Sequence, residues 1–193
     1  GATGLMRPLS QLVDLGYVRR EIPFGVDSKT SRRSLYKIDD PFLAFYFRFL
    51  QPNKSQLEVR AAAAVMAEVL RQLPLHVSLI WEELARSSVP SCRIGGHEWG
   101  AARRWWGAGR DGTPLELDAV AESRDGKAVL LGEAKWSVAD IQASKVRDRL
   151  LSLAKNLPFV RGRAVVPVLW AKRGRKAQDV WVLTPEAVLG CLQ

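Results

Sequence analysis

The stretch Leu115–Trp136, LELDAVAESRDGKAVLLGEAKW, decides how the rest of the chain is read. Two apolar runs flank Asp125-Gly126, the strongest short hairpin signal, so the segment predicts two antiparallel strands. A two-residue loop sets Arg124 against Lys127. That register places Asp118 opposite Glu133 and Glu116 opposite Lys135, with opposed Cβ atoms about 5 Å apart. On the same face Val120 meets Leu131 and Glu122 meets Val129. A strand serving only a core would carry aliphatic residues at 118 and 133, because opposed like charges repel unless something neutralises them. A divalent cation does so, and a carboxylate pair beside a backbone carbonyl suits magnesium or manganese. Lys135 lies two residues beyond Glu133 and shares its face, where it can hold a water or a phosphate. The plainer alternative is a half-exposed hairpin with cross-strand ion pairs in water, which Glu116 and Lys135 suit well. Spacing alone leaves both open, and a three-residue loop would send Asp118 and Glu133 to opposite faces.

The surrounding chain has 193 residues and a formal net charge of +9. That length allows one ordinary domain or two small ones with a real core. The charge points to an anionic partner, nucleic acid first and an acidic membrane surface second. No apolar run is read as a membrane span, and no basic-then-apolar leader is read at the start. Cys92 and Cys191 are read as giving no disulfide framework, with Cys191 in the core and a reducing cytoplasm as the setting. Cys92, His97 and Cys191 lack zinc-finger spacing.

Upstream, LMRPLSQLVDLGYV has helical spacing and stops at Gly16. YVRREIPF and SLYKI read as short strands around a polar, basic loop. Helix, strand, basic loop and strand form the second half of a winged helix-turn-helix, with Lys29, Arg32 and Arg33 of the wing at phosphates. A complete unit needs two more helices upstream, so the expectation is part of a longer protein. In DDPFLAFYFRFL, Asp39 or Asp40 caps a helix, Pro41 sits in its first turn, and the phenylalanines are taken as core. QPNKSQ reads as a linker, giving boundaries at 1–56 and 57–193.

Beyond the linker, two helices are expected on either side of Pro74, the second carrying Glu82 and Glu83. CRIGGHEWG is read as a strand and AARRWWGAGRDGTP as a loop. After the hairpin come a helix near 139–157, the strand AVVPVLWA, a basic loop, the strand DVWVL and a last helix capped by Thr184. Trp105 and Trp106, beside Arg103 and Arg104, suit either buried anchoring or base stacking with phosphate clamping. Lys172, Arg173, Arg175 and Lys176 make a basic tip, either solvated or at phosphates. Arg147, Arg149 and Lys155 belong to the solvated face of their helix, near enough to the hairpin to line a DNA channel.

Asp118, a hairpin, and then Glu133-Ala134-Lys135 resemble the active-site signature of the PD-(D/E)XK nuclease superfamily. The order helix, three strands, helix, strand resembles that fold's core. The resemblance implies Asp118 and Glu133 as ligands of Mg2+ or Mn2+, Lys135 as the residue that positions the attacking water, and Glu82 of IWEEL as an auxiliary acid. Leu117 stands where the signature has Pro. Over nearly its whole length the chain also resembles the C-terminal region of archaeal-type AAA+ ATPases, in which a winged helix precedes a nuclease-like domain. No GxxxxGK[ST] stretch occurs, so the ATPase would be an upstream partner. The expectation is thus an α/β chain, a partial winged helix followed by a restriction-endonuclease-like mixed sheet flanked by helices. Its expected role is metal-dependent DNA hydrolysis in the cytoplasm. A catalytically inactive DNA-binding or regulatory module is the alternative, and an interaction module for an acidic protein is a third.

Overall fold

The computed structural model describes residues 3–193 apart from 30, 60, 138 and 176. Lys176, one of the expected phosphate contacts, lies outside the described residues. The chain forms two compact units, residues 1–22 with 28–76, and residues 23–27 with 77–193. The division between these units falls within a helix.

In the first unit, α1 (Thr3–Asp14) ends as expected: Gly16 N–H bonds to Val13 and Tyr17 N–H to Leu12. β1 (Val18–Glu21) and β2 (Leu35–Ile38) pair antiparallel, Val18 against Ile38. Asp40 caps α2 (Pro41–Phe45), its carboxylate accepting from Leu43 N–H at 2.8 Å. The chain then widens into a π-helical turn, Tyr46–Leu50, and a 3-10 turn, Gln51–Asn53. The expected linker is therefore helical, and α3 (Lys54–Glu58) continues it. The aromatic stripe is only partly core. Phe49 is buried against Val65, Val69 and Phe45, whereas Phe42 and Phe47 are exposed.

α4 (Ala62–Ser88) runs straight through Pro74, where a break was expected. Proline costs a helix interior one N–H bond. Here the carbonyl that loses its partner belongs to Leu70, a residue 60% exposed, so water can serve it. Because the helix is unbroken, Ala62–Ser91 is long and apolar enough to cross a membrane by length and composition, contrary to the sequence reading.

The second unit is built on a five-stranded mixed sheet in the order β3-β4-β5-β6-β7. β3 (Arg103–Ala108), β4 (Pro114–Glu122) and β5 (Ala128–Lys135) are antiparallel neighbours. β5, β6 (Ala164–Ala171) and β7 (Trp181–Leu183) are parallel, with α5 (Ala143–Asn156) as the crossover between β5 and β6. The first strand comes from RRWWGA, which was read as loop. Its tryptophans suit a pleated, half-buried surface, and Trp105 is buried. CRIGGHEWG makes only a tight turn, Ile94 bridging His97, and one bridge from Trp99 to Ser123.

The two faces of this sheet have different covers. Ala119, Ala121, Leu130 and Trp170 pack against Trp81 and Ala85 of α4 and Val188 of α6 (Pro185–Leu192). Leu117, Val120, Val129 and Leu131 pack against Leu150 and Ala154 of α5. The period of two along β5 sorts its residues cleanly between these cores. Cys92 and Cys191 are joined as a disulfide, with Cα atoms 5.3 Å apart, correcting the expectation of none. Spacing could not show this, because the chain brings α6 back beside the end of α4 only once the sheet is formed.

Candidate active site

The tip of the β4–β5 hairpin is four residues long, not two. Ser123 N–H bonds to the Ala128 carbonyl at 3.0 Å, and Gly126 N–H turns back to Ser123 at 2.9 Å. Gly126 sits at φ +70, a conformation glycine adopts without steric cost. Asp125 holds the turn by accepting from Ser123 Oγ at 2.6 Å and Lys127 N–H at 3.1 Å. Lengthening the loop by one residue on each side leaves the register unchanged. Val120 faces Leu131 and Ala119 faces Gly132, as expected, and the regular pairing ends there, one step short of the expected Asp118–Glu133 pair.

At that step the strands stop behaving as a plain ladder. Between Arg103–Val120 and Trp105–Leu117, two steps on β3 answer three on β4. This bulge leaves Asp118 and Ala119 opposite Arg104, and bulges of this kind re-aim side chains. It also explains why Leu117 and Val120 reach the same core although they are three residues apart. The Asp118 carbonyl accepts from Arg86 Nη1 of α4 at 2.7 Å. The Asp118 side chain takes the Ala134 N–H through Oδ2 at 2.9 Å.

The splayed strand ends open a cleft of about 210 Å³. Glu116, Leu117 and Asp118 line it from β4, Gly132, Glu133 and Lys135 from β5, and Arg149 from α5. Glu133 is buried, and its Oε1 receives Lys135 Nζ at 2.7 Å and Arg149 Nη1 at 2.6 Å. The Asp118 carboxyl lies above the usual aspartate range. Burial drives it up, outweighing the Ala134 N–H, Lys135 and Arg86, while Glu133 pushes the same way as burial.

Of the residues read from sequence, Asp118, Glu133 and Lys135 meet in this cleft. Glu82 does not line it. It lies 3.9 Å from Arg86, the residue that holds the Asp118 carbonyl. Arg149 and Glu116 complete the cleft. Arg149 was read as part of a solvated helix face near enough to the hairpin to line a DNA channel, and its pairing with Glu133 was not foreseen. Among the described residues no group of three His, Cys, Asp or Glu side chains gathers as a metal cluster. The donor chemistry nonetheless fits a hard divalent cation. Asp118 and Glu133 both line the cleft, burial raises the Asp118 carboxyl, and such an ion would offset both acids.

The basic residues are placed as follows. Lys29, Arg32 and Arg33 lie exposed in the β1–β2 connection. Arg103 is exposed on β3, while Arg104 pairs with Glu116 at 2.8 Å and stacks over Trp106 at 5.6 Å. Lys172 lies 5.0 Å over the Trp136 ring, Arg175 lies 3.6 Å from Asp140, and Arg173 is exposed.

This geometry defines an α/β domain whose mixed sheet presents two acids and a lysine at one splayed strand pair. Residues 46–147, just over half of the chain, match DUF234, described as archaeal and bacterial proteins of unknown function, and the chain belongs to that family. Over 139 residues it is 26% identical to the uncharacterized protein MJECL04 of Methanocaldococcus jannaschii, covering 66% of this chain and 28% of that protein. The chain thus spans less than a third of the length of that relative. No solved structure matches it.

Proposed function

We propose that the second unit is a PD-(D/E)XK-like nuclease domain that hydrolyses phosphodiester bonds of DNA with Mg2+ or Mn2+. The carrying observation is the placement of Asp118, Glu133 and Lys135 in one cleft at the splayed ends of β4 and β5. Asp118 and Glu133 would hold the ion. Its chemistry is to acidify water and to polarise a phosphoryl oxygen. Lys135, 46% exposed at its side chain and anchored on Glu133, is placed to donate to an attacking water or a scissile phosphate. Ala134 N–H and Arg86 fix the two ends of the Asp118 residue, so its carboxylate is oriented before substrate arrives.

In this reading the first unit is a partial winged helix. Its support is the order α1, β1, basic connection, β2, with Lys29, Arg32 and Arg33 in the connection. DNA as partner rests on the net charge of +9. An archaeal-type ATPase as the companion domain rests on the sequence resemblance; the uncharacterized relative, of which the match covers 28%, has length to spare for a further domain. The proposal keeps the cytoplasm because DNA is found there; the Cys92–Cys191 disulfide removes the cysteine argument for that compartment.

One observation favours a second reading. Glu133 is already neutralised by Lys135 and Arg149, as a structural acid would be. In that case the unit is a non-catalytic DNA-binding or regulatory module. Nicking of supercoiled plasmid in Mg2+ and then Mn2+, with Lys135→Ala beside the parent, separates the two. The nuclease reading expects metal-dependent nicking that the variant loses. Salt-sensitive DNA binding without nicking by either protein would favour the module instead.

A further inference from the structure

Arg149 is absent from the sequence signature, yet it pairs with the buried acid of the cleft, 2.6 Å from Glu133 Oε1. The two partners are unequal. The Glu133 side chain is 8% exposed and that of Arg149 is 57% exposed. A buried carboxylate needs a compensating cation, whereas an arginine reaching in from solvent can withdraw at small cost to itself. Arg149 is therefore free to leave Glu133 only when another cation takes over that compensation. Lys135 lies on the same oxygen but is fixed to the same strand as Glu133. Arg149 comes from a different element, α5.

We propose that Arg149 is a positioning residue that competes with the divalent cation for Glu133 and, once displaced, turns its guanidinium to a phosphate of the bound strand. This rests on the metal-binding reading above and adds its regulation: ion entry exposes the anion-binding group, so metal and DNA bind with positive coupling. The planar guanidinium suits either partner, since carboxylate and phosphate are both bound through paired donors.

The test is titration calorimetry of Mn2+ on the full 193-residue chain for the parent, Arg149→Met, Arg149→Lys and Asp118→Asn. Arg149→Met is expected to bind Mn2+ about ten-fold more tightly than the parent, the scale of one charge-assisted hydrogen bond removed from competition. Arg149→Lys, keeping the charge, should stay near the parent, and Asp118→Asn should lose the site. In filter binding with Mn2+ present, Arg149→Met should bind DNA more weakly, with a salt slope smaller by roughly one. Unchanged or weaker Mn2+ binding by Arg149→Met, with the site still lost in Asp118→Asn, overturns the competition and leaves the metal site standing. Absence of Mn2+ binding in both parent and Arg149→Met, or binding that survives Asp118→Asn, overturns both.

Discussion

The Ala134 N–H donates to Asp118 Oδ2 at 2.9 Å, where continuation of the β4–β5 register would give it the carbonyl of Leu117. A side chain has taken over a ladder bond. The exchange frees the strand ends to part, and it ties the acid's position to the backbone of the residue between Glu133 and Lys135.

Asp118 carries a cost that should be visible without any assay of activity. Its carboxyl is raised by burial above the unfolded-state value, so between the two values the native chain binds more protons than the unfolded one. Stability from this group is then greatest below the unfolded value and declines as pH rises through the folded value. Asp118→Asn removes the ionisation. Thermal melts should show the variant more stable than the parent at neutral pH by about 1 kcal/mol, within the range of substitutions that relieve a functional site. The difference should shrink in acid; a variant no more stable at pH 7 would contradict the account.

Gly132 sits beside Glu133 because nothing larger fits. A Cβ there would lie 2.1 Å from Cζ3 of Trp170, whose side chain is fully buried on β6. Gly132→Ala should therefore lower stability by about 1–3 kcal/mol through overpacking. Urea unfolding reads this directly. An unchanged midpoint would mean that the indole can shift and that the approach is not close in solution.

His76 packs edge-on to Phe45 and Phe49 in the first unit. Burial lowers its pKa, and Arg48 lowers it further. The unfolded chain thus takes up the proton first, near pH 6.5, so the group's stability is intact above that value and is lost as pH falls below it. His76→Phe should flatten this acid limb of the melting curve. The same limb in parent and variant would place the sensitivity elsewhere.

The disulfide between Cys92 and Cys191 spans 99 residues. Closing a loop of that size is worth up to roughly 5 kcal/mol in the chain-entropy account. Cys191→Ser should unfold at lower denaturant, by about 2–5 kcal/mol, and added dithiothreitol should bring the parent down to the variant. A parent indifferent to the reductant would show that the bond contributes nothing to stability.

The hairpin was legible in the sequence because parity protects it. The tip has two residues more than expected, yet the register from Glu122–Val129 to Ala119–Gly132 is the expected one, since one residue was added on each side of the turn, and Asp118 and Glu133 line one cleft. The edge strand was not legible. RRWWGA lacks alternation, and its pairing with β4 is settled by the bulge at Asp118 and Ala119. Pro74 was read by its local cost, whereas its neighbourhood lets solvent meet that cost. Phe42 and Phe47 were read as core from the density of aromatic residues, and composition does not say which of them face inward. The pairing of Arg149 with Glu133 and the cysteine pair share one reason for not being foreseen. Each depends on where a distant helix lands, and no window along the chain contains that information.

The cysteine pair has a mechanical consequence. All five strands of the large sheet lie between Cys92 and Cys191. Tension applied along α4 and at the C-terminus would pass through the sulfur atoms and bypass the sheet, so the oxidised domain could be pulled on without its strands being sheared apart. Reduced, the same pull would load the sheet from its edges, beginning with the short strand β7. An oxidised chain tethered at both ends therefore keeps the Asp118 cleft intact under a load that would unzip the reduced one.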